Sequence, residues 1–256
     1  MELNLSLNEA IKYHSESQKA RVLTENWIEN NLYCPHCGNI NVKHFPNNKP
    51  VADFYCPICN CQYELKSKNG KIGGKINDGA YEKMITRITS NTNPDFLFMS
   101  YSMQNMAVEG LIFVPKYFFT PNIIEKRKPL SNTARRAGWI GCNILIDKIP
   151  EQGYIHIIKD GIIQQKQTVI EKIKKSSLLI THDINARGWI LDILKCVNKI
   201  NSQEFCLQDI YDFEAELALN HPNNNNIKPK IRQQLQLLRD KGFIEFLGNG
   251  RYIKLM

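Results

Sequence analysis

Residues 51–68 read VADFYCPICNCQYELKSK, and they place a Cys-x-x-Cys pair between an aspartate and a Glu-x-Lys triplet. The residues on each side of the cysteines alternate as paired strands do. If the two flanks pair, Asp53 comes close to Glu64. Residues two apart in a strand lie on one face, so Glu64 and Lys66 point together while Leu65 faces the core. This stretch predicts a strand pair with three charged groups beside it and two cysteines at its tip.

A second Cys-x-x-Cys pair precedes the first, so that Cys34 and Cys37 are separated from Cys56 and Cys59 by 18 residues. This spacing is typical of a four-cysteine zinc site. A closed four-thiolate site has no open coordination position, so we expect the zinc to stabilise structure and to take no part in chemistry. Buried or redox-active thiols are the alternative reading, and Cys61 could replace Cys59 as a ligand.

The charged residues that flank the cysteines suit metal-dependent cleavage of a phosphodiester. Two carboxylates, Asp53 and Glu64, can bind a hard cation such as Mg²⁺, which lowers the pKa of a bound water. Lys66 would position that water or stabilise the charge that develops on the phosphate. The pattern is weak in isolation, because the same residue types also decorate exposed strands.

The composition is that of an ordinary soluble globular protein, with 256 residues, 43% hydrophobic and 23% charged. The formal net charge of +8 favours a polyanionic partner such as nucleic acid, although a merely basic soluble protein has the same total. No run approaches the roughly 18 apolar residues of a membrane span. We therefore expect a cytoplasmic protein without a membrane partner. The sequence carries no signal for the oligomeric state, and we take a monomer as the expectation.

The chain before residue 180 alternates between helical and strand patterns. Residues 17–30 carry an apolar stripe at helical spacing, and strands are predicted to begin at Asp95, Glu109 and Tyr154. A helix is predicted within NDGAYEKMITRITS, with Asn77 or Asp78 as its N-cap. This alternation predicts an α/β or α+β fold.

The chain after residue 180 has a different pattern. Helices are predicted from Trp189, from Leu207 and over residues 227–242, and FIEFLGNGRYIKL reads as two strands joined by a Gly-Asn-Gly turn. Three helices and a terminal hairpin are the order of a winged helix-turn-helix. We therefore expect a first domain over residues 1–180 and a winged helix domain over residues 181–256.

Several blocks of the sequence carry a family resemblance. Around Asp53 and ELKSK the chain resembles the PD-(D/E)xK nucleases, and over nearly its full length it resembles the DpnI-like methyl-directed type II restriction endonucleases. The blocks are SQKARVLTENW, YCPHCGN, KPVADFYC, ELKSK, INDGAYEKM, TARRAGWIGCNI and IRQQLQLLRDK. The resemblance implies a restriction-endonuclease-like core with an embedded zinc site, followed by a winged helix.

The resemblance also implies an activity, namely Mg²⁺-dependent double-strand cleavage of DNA at GATC sites that contain N6-methyladenine. Asp53, Glu64 and Lys66 match the catalytic positions, and the Leu65 carbonyl is a further expected magnesium ligand. Ala52 stands where the motif name has proline, a position that contributes no ligand.

Glu25 of the first helix has two readings. It could be an auxiliary acid, as in other members of this fold, or a solvated helix charge, and the second reading is preferred here.

Two tracts are candidates for contact with DNA. Arginine reads guanine edges or binds phosphate, glutamine pairs with adenine, and an aromatic ring stacks on bases. The alternatives for these tracts are a solvated loop, with Trp139 in the core, and a solvated helix face. The alternative to the endonuclease function is a zinc-containing winged-helix reader of methylated DNA without catalytic activity. The candidate residues are Arg135, Arg136, Trp139, Lys230, Arg232, Gln233 and Gln234.

Overall fold

The computed structural model describes residues 1–6, 10–46, 52–90, 92–181 and 183–255. The helices are α1 Glu16–Asn31, α2 Tyr81–Thr89, α3 Lys166–Ser177, α4 Ile184–Lys199, α5 Leu207–Tyr211, α6 Glu214–Asn220 and α7 Ile227–Asp240. The strands are β1 Lys43–His44, β2 Phe54–Tyr55, β3 Gln62–Asn69, β4 Lys75–Ala80, β5 Asp95–Ser102, β6 Ala107–Val114, β7 Ile124–Lys126, β8 Gly141–Leu145, β9 Ile155–Lys159, β10 Ile162–Ile163, β11 Glu204–Cys206, β12 Ile244–Gly248 and β13 Arg251–Lys254.

A seven-stranded sheet forms the centre of the N-terminal region, in the order β1-β2-β3-β5-β6-β9-β10. The β3–β5 pair is parallel, and the neighbouring pairs β2–β3 and β5–β6 are antiparallel. A parallel pair needs a long crossover, and here it contains β4 and α2. The crossover therefore places α2 close to β3.

The two faces of this sheet pack against different layers, because successive side chains of a strand point to opposite sides. On β5, Leu97 and Met99 belong to a buried cluster with residues of α1 and α3. Phe96 and Phe98 belong to a second cluster with residues of α2. The β5 strand is thus buried on both faces, as its nearly continuous apolar sequence requires.

A second sheet has the order β4-β8-β7. Its β4–β8 ladder contains a register shift, since Asp78 is opposite Cys142 and Ala80 is opposite Gly141. One extra residue, Gly79, is therefore accommodated as a bulge. Bulges bend a strand locally and change the direction of a side chain.

The C-terminal region contains α4 to α7 and a three-stranded sheet in the order β11-β13-β12. The β12–β13 turn has positive φ at Gly248, Asn249 and Gly250, a conformation that glycine and asparagine adopt at low cost. Gln152 and Asn198 exchange amide hydrogen bonds of 3.2 and 2.9 Å, which join this region to the first. None of the described helices is long and apolar enough to span a bilayer.

The structure confirms the α+β class and most of the predicted elements, including the first helix, the strand at Asp95 and the terminal hairpin. The predicted N-cap at Asn77 or Asp78 is wrong, because both residues lie in β4 and the helix begins at Tyr81. The helix predicted from Leu207 is broken into α5 and α6. Helix α3 was not anticipated, and Val51, placed in the first strand of the pair, lies outside the described residues.

We predict that Leu97→Ala lowers the free energy of unfolding by about 2–5 kcal/mol, because it leaves a cavity beneath α1 in the centre of the sheet. Urea denaturation followed by tryptophan fluorescence measures the change. Leu219→Ala is the matched control, since Leu219 is 83% exposed and its truncation should change stability by no more than about 0.5 kcal/mol. Equal losses in the two variants would contradict the assigned burial.

Candidate active site and metal centre

Asp53 immediately precedes the short strand β2 and lies beside β3. Its backbone N–H donates to the Tyr63 carbonyl at 3.0 Å, and its Oδ2 accepts the Leu65 N–H at 2.8 Å. Phe54 is opposite Tyr63, so the next step of the antiparallel register sets Asp53 opposite Glu64. The Leu65 N–H is thus bound by the Asp53 side chain, at a point where a longer β2 strand would have offered a backbone carbonyl. This confirms the predicted strand pairing.

The pKa of Asp53 is raised, chiefly by burial. The hydrogen bond from Leu65 and the charges of Lys66 and His44 lower it, whereas the negative charge of Glu25 raises it further. The net pKa is raised because the effect of burial is larger than the effect of the groups that favour the ionised carboxylate. A cation placed beside this carboxylate would relieve the cost of its charge.

Glu64 and Lys66 lie on the same face of β3, as predicted. Lys66 Nζ is 2.7 Å from Glu64 Oε1 and 2.5 Å from Asp78 Oδ1. Arg87 Nη1 of α2 is 2.5 Å from Glu64 Oε2. This contact is an ion pair, and Glu64 Oε2 has no hydrogen-bond partner among the described residues. The four side chains form an alternating row of charges, Asp78, Lys66, Glu64 and Arg87, that sums to zero.

Burial by itself would lower the pKa of Lys66, but the charges and hydrogen bonds of Glu64 and Asp78 outweigh it, so the net pKa is raised. Lys66 is therefore a cation in the folded protein. Because only 20% of its side chain is exposed, its position is defined by these two carboxylates.

Asp78 and Arg87 contact the predicted catalytic residues Lys66 and Glu64, and the sequence pattern did not indicate either contact. Asp78 was read as a helix cap and Arg87 lies on the predicted helix, and neither is near residue 64 in the chain. The available signal was the helical pattern between the two strands, since a helix in a parallel crossover packs on one face of the sheet and comes close to its strands.

Glu25 differs from the preferred expectation of a solvated helix charge. Its side chain is 16% exposed, 2.8 Å from Arg21 Nε and 3.3 Å from His44 Nε2. It also acts electrostatically on Asp53. Glu25 is a partly buried member of the group around Asp53, because the helix carries it over the edge of β3.

The two cysteine pairs come together in space. The Cys34 and Cys59 sulfurs are 3.5 Å apart, the Cys37 and Cys56 sulfurs are 3.6 Å apart, and all four lie within 4.8 Å of one another. At a zinc–sulfur distance of about 2.3 Å, a regular tetrahedron has sulfur–sulfur edges of about 3.8 Å. The cluster therefore fits zinc, and over the described ranges it is the one group of at least three His, Cys, Asp or Glu side chains that could share an ion.

The two cysteine turns have the same backbone design. Cys34 N–H donates to Asn39 C=O at 2.8 Å, and Cys56 N–H donates to Cys61 C=O at 2.9 Å, five residues on in each case. The fourth residue after each first cysteine, Gly38 or Asn60, has positive φ. Cys61 occupies the place of Asn39 in this design, outside the four sulfurs.

A tyrosine connects the cysteine cluster to the charged row. The Tyr63 hydroxyl lies 3.0 Å from Cys34 Sγ and is fully buried. Burial, together with the neighbouring Cys34, raises the pKa of Tyr63, so the hydroxyl keeps its proton and can donate to a thiolate. Tyr63 immediately precedes Glu64, so one strand contacts both centres.

His36, within the first cysteine turn, is held by Asp95 at 2.8 Å. The other oxygen of Asp95 accepts the Lys116 N–H at 2.8 Å. The first cysteine turn is thus tied to the start of β5.

The predicted DNA-contact tracts are largely on the surface. Arg135 and Arg136 are exposed, and the Arg136 guanidinium lies 4.3 Å from the centre of the Trp139 ring. On α7, Gln233 accepts a hydrogen bond from Lys230 at 2.7 Å, and Arg232 donates to the Tyr211 hydroxyl at 2.7 Å.

Gln234 corrects the expectation for α7. Its side chain is 2% exposed, so it cannot present an amide to DNA in this structure. The reason is helical spacing, because Gln234 follows Ile231 by three residues and adjoins Leu235, both of which are buried.

Family models cover most of the chain. Residues 1–182 match the DpnI model, described as the Dam-replacing family, and residues 185–254 match its C-terminal model, described as the Dam-replacing HTH domain. The first match spans more than half of the chain, and the second coincides with the helices and hairpin after residue 183. The chain therefore belongs to the DpnI, or Dam-replacing, family of methylation-dependent restriction endonucleases, with a C-terminal winged helix.

Proposed function

We propose that the protein is a type II endonuclease that makes double-strand cuts in DNA at GATC sites containing N6-methyladenine, with Mg²⁺ as the catalytic cation. The observation that supports this most is the placement of Asp53, just before β2, beside the paired strand β3 that carries Glu64 and Lys66, with Glu64 buried and Asp53 half-buried. A winged helix regulator would not need a buried and a half-buried carboxylate close to a partly buried lysine.

Asp53, Glu64 and the Leu65 carbonyl would hold the cation. Their oxygens are the ligand type that Mg²⁺ prefers, and Glu64 Oε2 has no hydrogen-bond partner among the described residues. The cation supplies Lewis acidity and a bound water of lowered pKa. Lys66 would position the attacking water and stabilise the charge that develops on the phosphate. Arg87, 2.5 Å from Glu64, would help to compensate the charge of this buried carboxylate.

We further propose that Cys34, Cys37, Cys56 and Cys59 hold a structural zinc ion. A domain boundary near residue 180 would separate the nuclease region from the winged helix. Arg135, Arg136, Trp139, Lys230, Arg232 and Gln233 are proposed to contact DNA. We place the protein in the cytoplasm as a monomer, where methylated double-stranded DNA is its partner.

We predict that Asp53→Asn lowers the rate of cleavage of GATC-methylated plasmid by at least about 10³-fold, because a lost carboxylate removes several kcal/mol of charge stabilisation through the cation. The assay uses matched plasmids with and without GATC adenine methylation, in Mg²⁺. Asp160→Asn is the control, since Asp160 is exposed in a turn with φ of 50°, which asparagine also adopts.

Three outcomes would contradict this function. Failure of the wild type to cut either plasmid favours the non-catalytic reader, and equal cutting of both plasmids removes methyl dependence. Cutting that survives Asp53→Asn refutes the assigned cation site.

We predict that Tyr63→Phe weakens zinc binding by about 10–100-fold, because it removes the hydroxyl that supports the Cys34 sulfur. Competition with a chromophoric chelator measures the affinity. Tyr33→Phe is the matched control, because the buried Tyr33 hydroxyl has no hydrogen-bond partner among the described residues and its removal should be nearly neutral. Equal affinities in the two variants would show that the Tyr63 contact does not support the metal.

A further inference from the structure

We infer that Asp78 is the positioning residue for Lys66, and that it holds the lysine beside the reacting phosphate when Glu64 is engaged with the catalytic cation. The inference rests on the proposed nuclease function and adds a residue to it. Asp78 lies on β4, in the second sheet, outside the strand pair that supplies Asp53, Glu64 and Lys66.

The contact is short and well shielded. Asp78 Oδ1 is 2.5 Å from Lys66 Nζ, and only 10% of the Asp78 side chain is exposed. The same oxygen accepts the Gly79 N–H at 2.7 Å, which fixes the carboxylate in place. A fixed, largely buried carboxylate is an efficient partner for a flexible ammonium, because little further ordering is needed.

The backbone directs Asp78 toward Lys66. The register shift between Asp78 and Ala80 makes a bulge at Gly79. Bulges are over-represented next to active sites, where they redirect a side chain. An added Cβ at Gly79 would meet no atom within 4 Å, so steric crowding does not explain the glycine. Asp78 keeps its place opposite Cys142 in the ladder, and the bulge at the next residue bends β4 where the Asp78 side chain meets Lys66 of β3.

Electrostatics explains why Glu64 alone would not keep Lys66 in place once a cation is bound. Lys66 contacts both Glu64 and Asp78, at 2.7 and 2.5 Å. A divalent cation on Glu64 would neutralise that partner and repel the ammonium. Asp78 then remains as the carboxylate that can keep Lys66 in place.

Asp78 is a positioning residue and not a third cation ligand. Within the described part of the chain, Asp53, Glu64 and Asp78 do not form a group whose oxygens could share an ion. Its side chain reaches the site through Lys66. Loss of Asp78 should therefore reduce turnover and leave the Mg²⁺ requirement unchanged.

We predict that Asp78→Asn lowers kcat on GATC-methylated DNA by about 10²-fold, the cost of misplacing one catalytic group. KM, the Mg²⁺ concentration for half-maximal rate, and the affinity for methylated duplex without metal should each stay within about threefold of wild type. Asp78→Glu, which restores the carboxylate, should recover about tenfold of the loss. Asp147→Asn is the matched control, because Asp147 is an exposed aspartate just after β8, the strand that pairs with β4.

A stability cycle supplies a second measurement that does not depend on activity. The purified wild type, Asp78→Asn, Lys66→Met and the double variant, with the zinc site left intact and no Mg²⁺ added, are compared by urea denaturation. The loss of stability in the double variant should differ from the sum of the two single losses by more than the scatter of independent sites. Additive losses would show that the ion pair is not formed in solution, which would overturn the inference.

The kinetic outcomes separate this inference from the proposed function. If wild type does not cut, or Asp53→Asn cuts normally, the proposed function fails and Asp78 has no reaction to support. If those two proteins behave as expected, the inference alone fails when Asp78→Asn has normal kcat, when its defect is in KM, or when excess Mg²⁺ restores its rate.

Discussion

The fold around the proposed active site depends on strand β3, whose two faces have different roles. Tyr63 and Leu65 belong to the apolar cluster beneath α1, and the Tyr63 hydroxyl reaches Cys34. Glu64 and Lys66 point to the opposite face, toward α2 and β4. Because side chains alternate strictly along a strand, a slip of one residue would exchange these two sets. The register of β3 therefore determines both the cysteine cluster and the charged row.

The register of β3 is fixed by its two neighbouring strands and by the cysteine turns at its start. β5 pairs with β3 in parallel from Tyr63 to Asn69, and β2 pairs with it from the other edge. The cysteine turns close the β2–β3 connection and tie it to the segment that follows α1. Asp95 joins the first cysteine turn to β5 through His36. A metal bound to the four sulfurs would thus stabilise the strand that carries Glu64 without touching the proposed catalytic side chains.

The sequence predicted the features that depend on local spacing. The two cysteine turns could be predicted because each pair has the same Cys-x-x-Cys spacing. Glu64 and Lys66 share a face because they are two residues apart. Features that depend on tertiary context were missed. Asp78 resembles a helix cap in its local sequence, but pairing with β8 makes it a strand residue at a bulge. Gln234 has a polar side chain on the buried stripe of α7, so residue type and helical position give opposite predictions there. Arg87 is distant from Glu64 in the chain, and only the crossover brings them together.

A nuclease that uses carboxylates must bring acidic groups close to a polyanion, and this site reduces that conflict through its neighbours. Glu64 is flanked by Lys66 and Arg87, and the Lys66 charge is shared with Asp78. Glu25 is likewise paired with Arg21 and His44 beside Asp53. Paired charges present a weak field at long range, so the net charge of +8 of the whole chain can dominate the attraction of DNA.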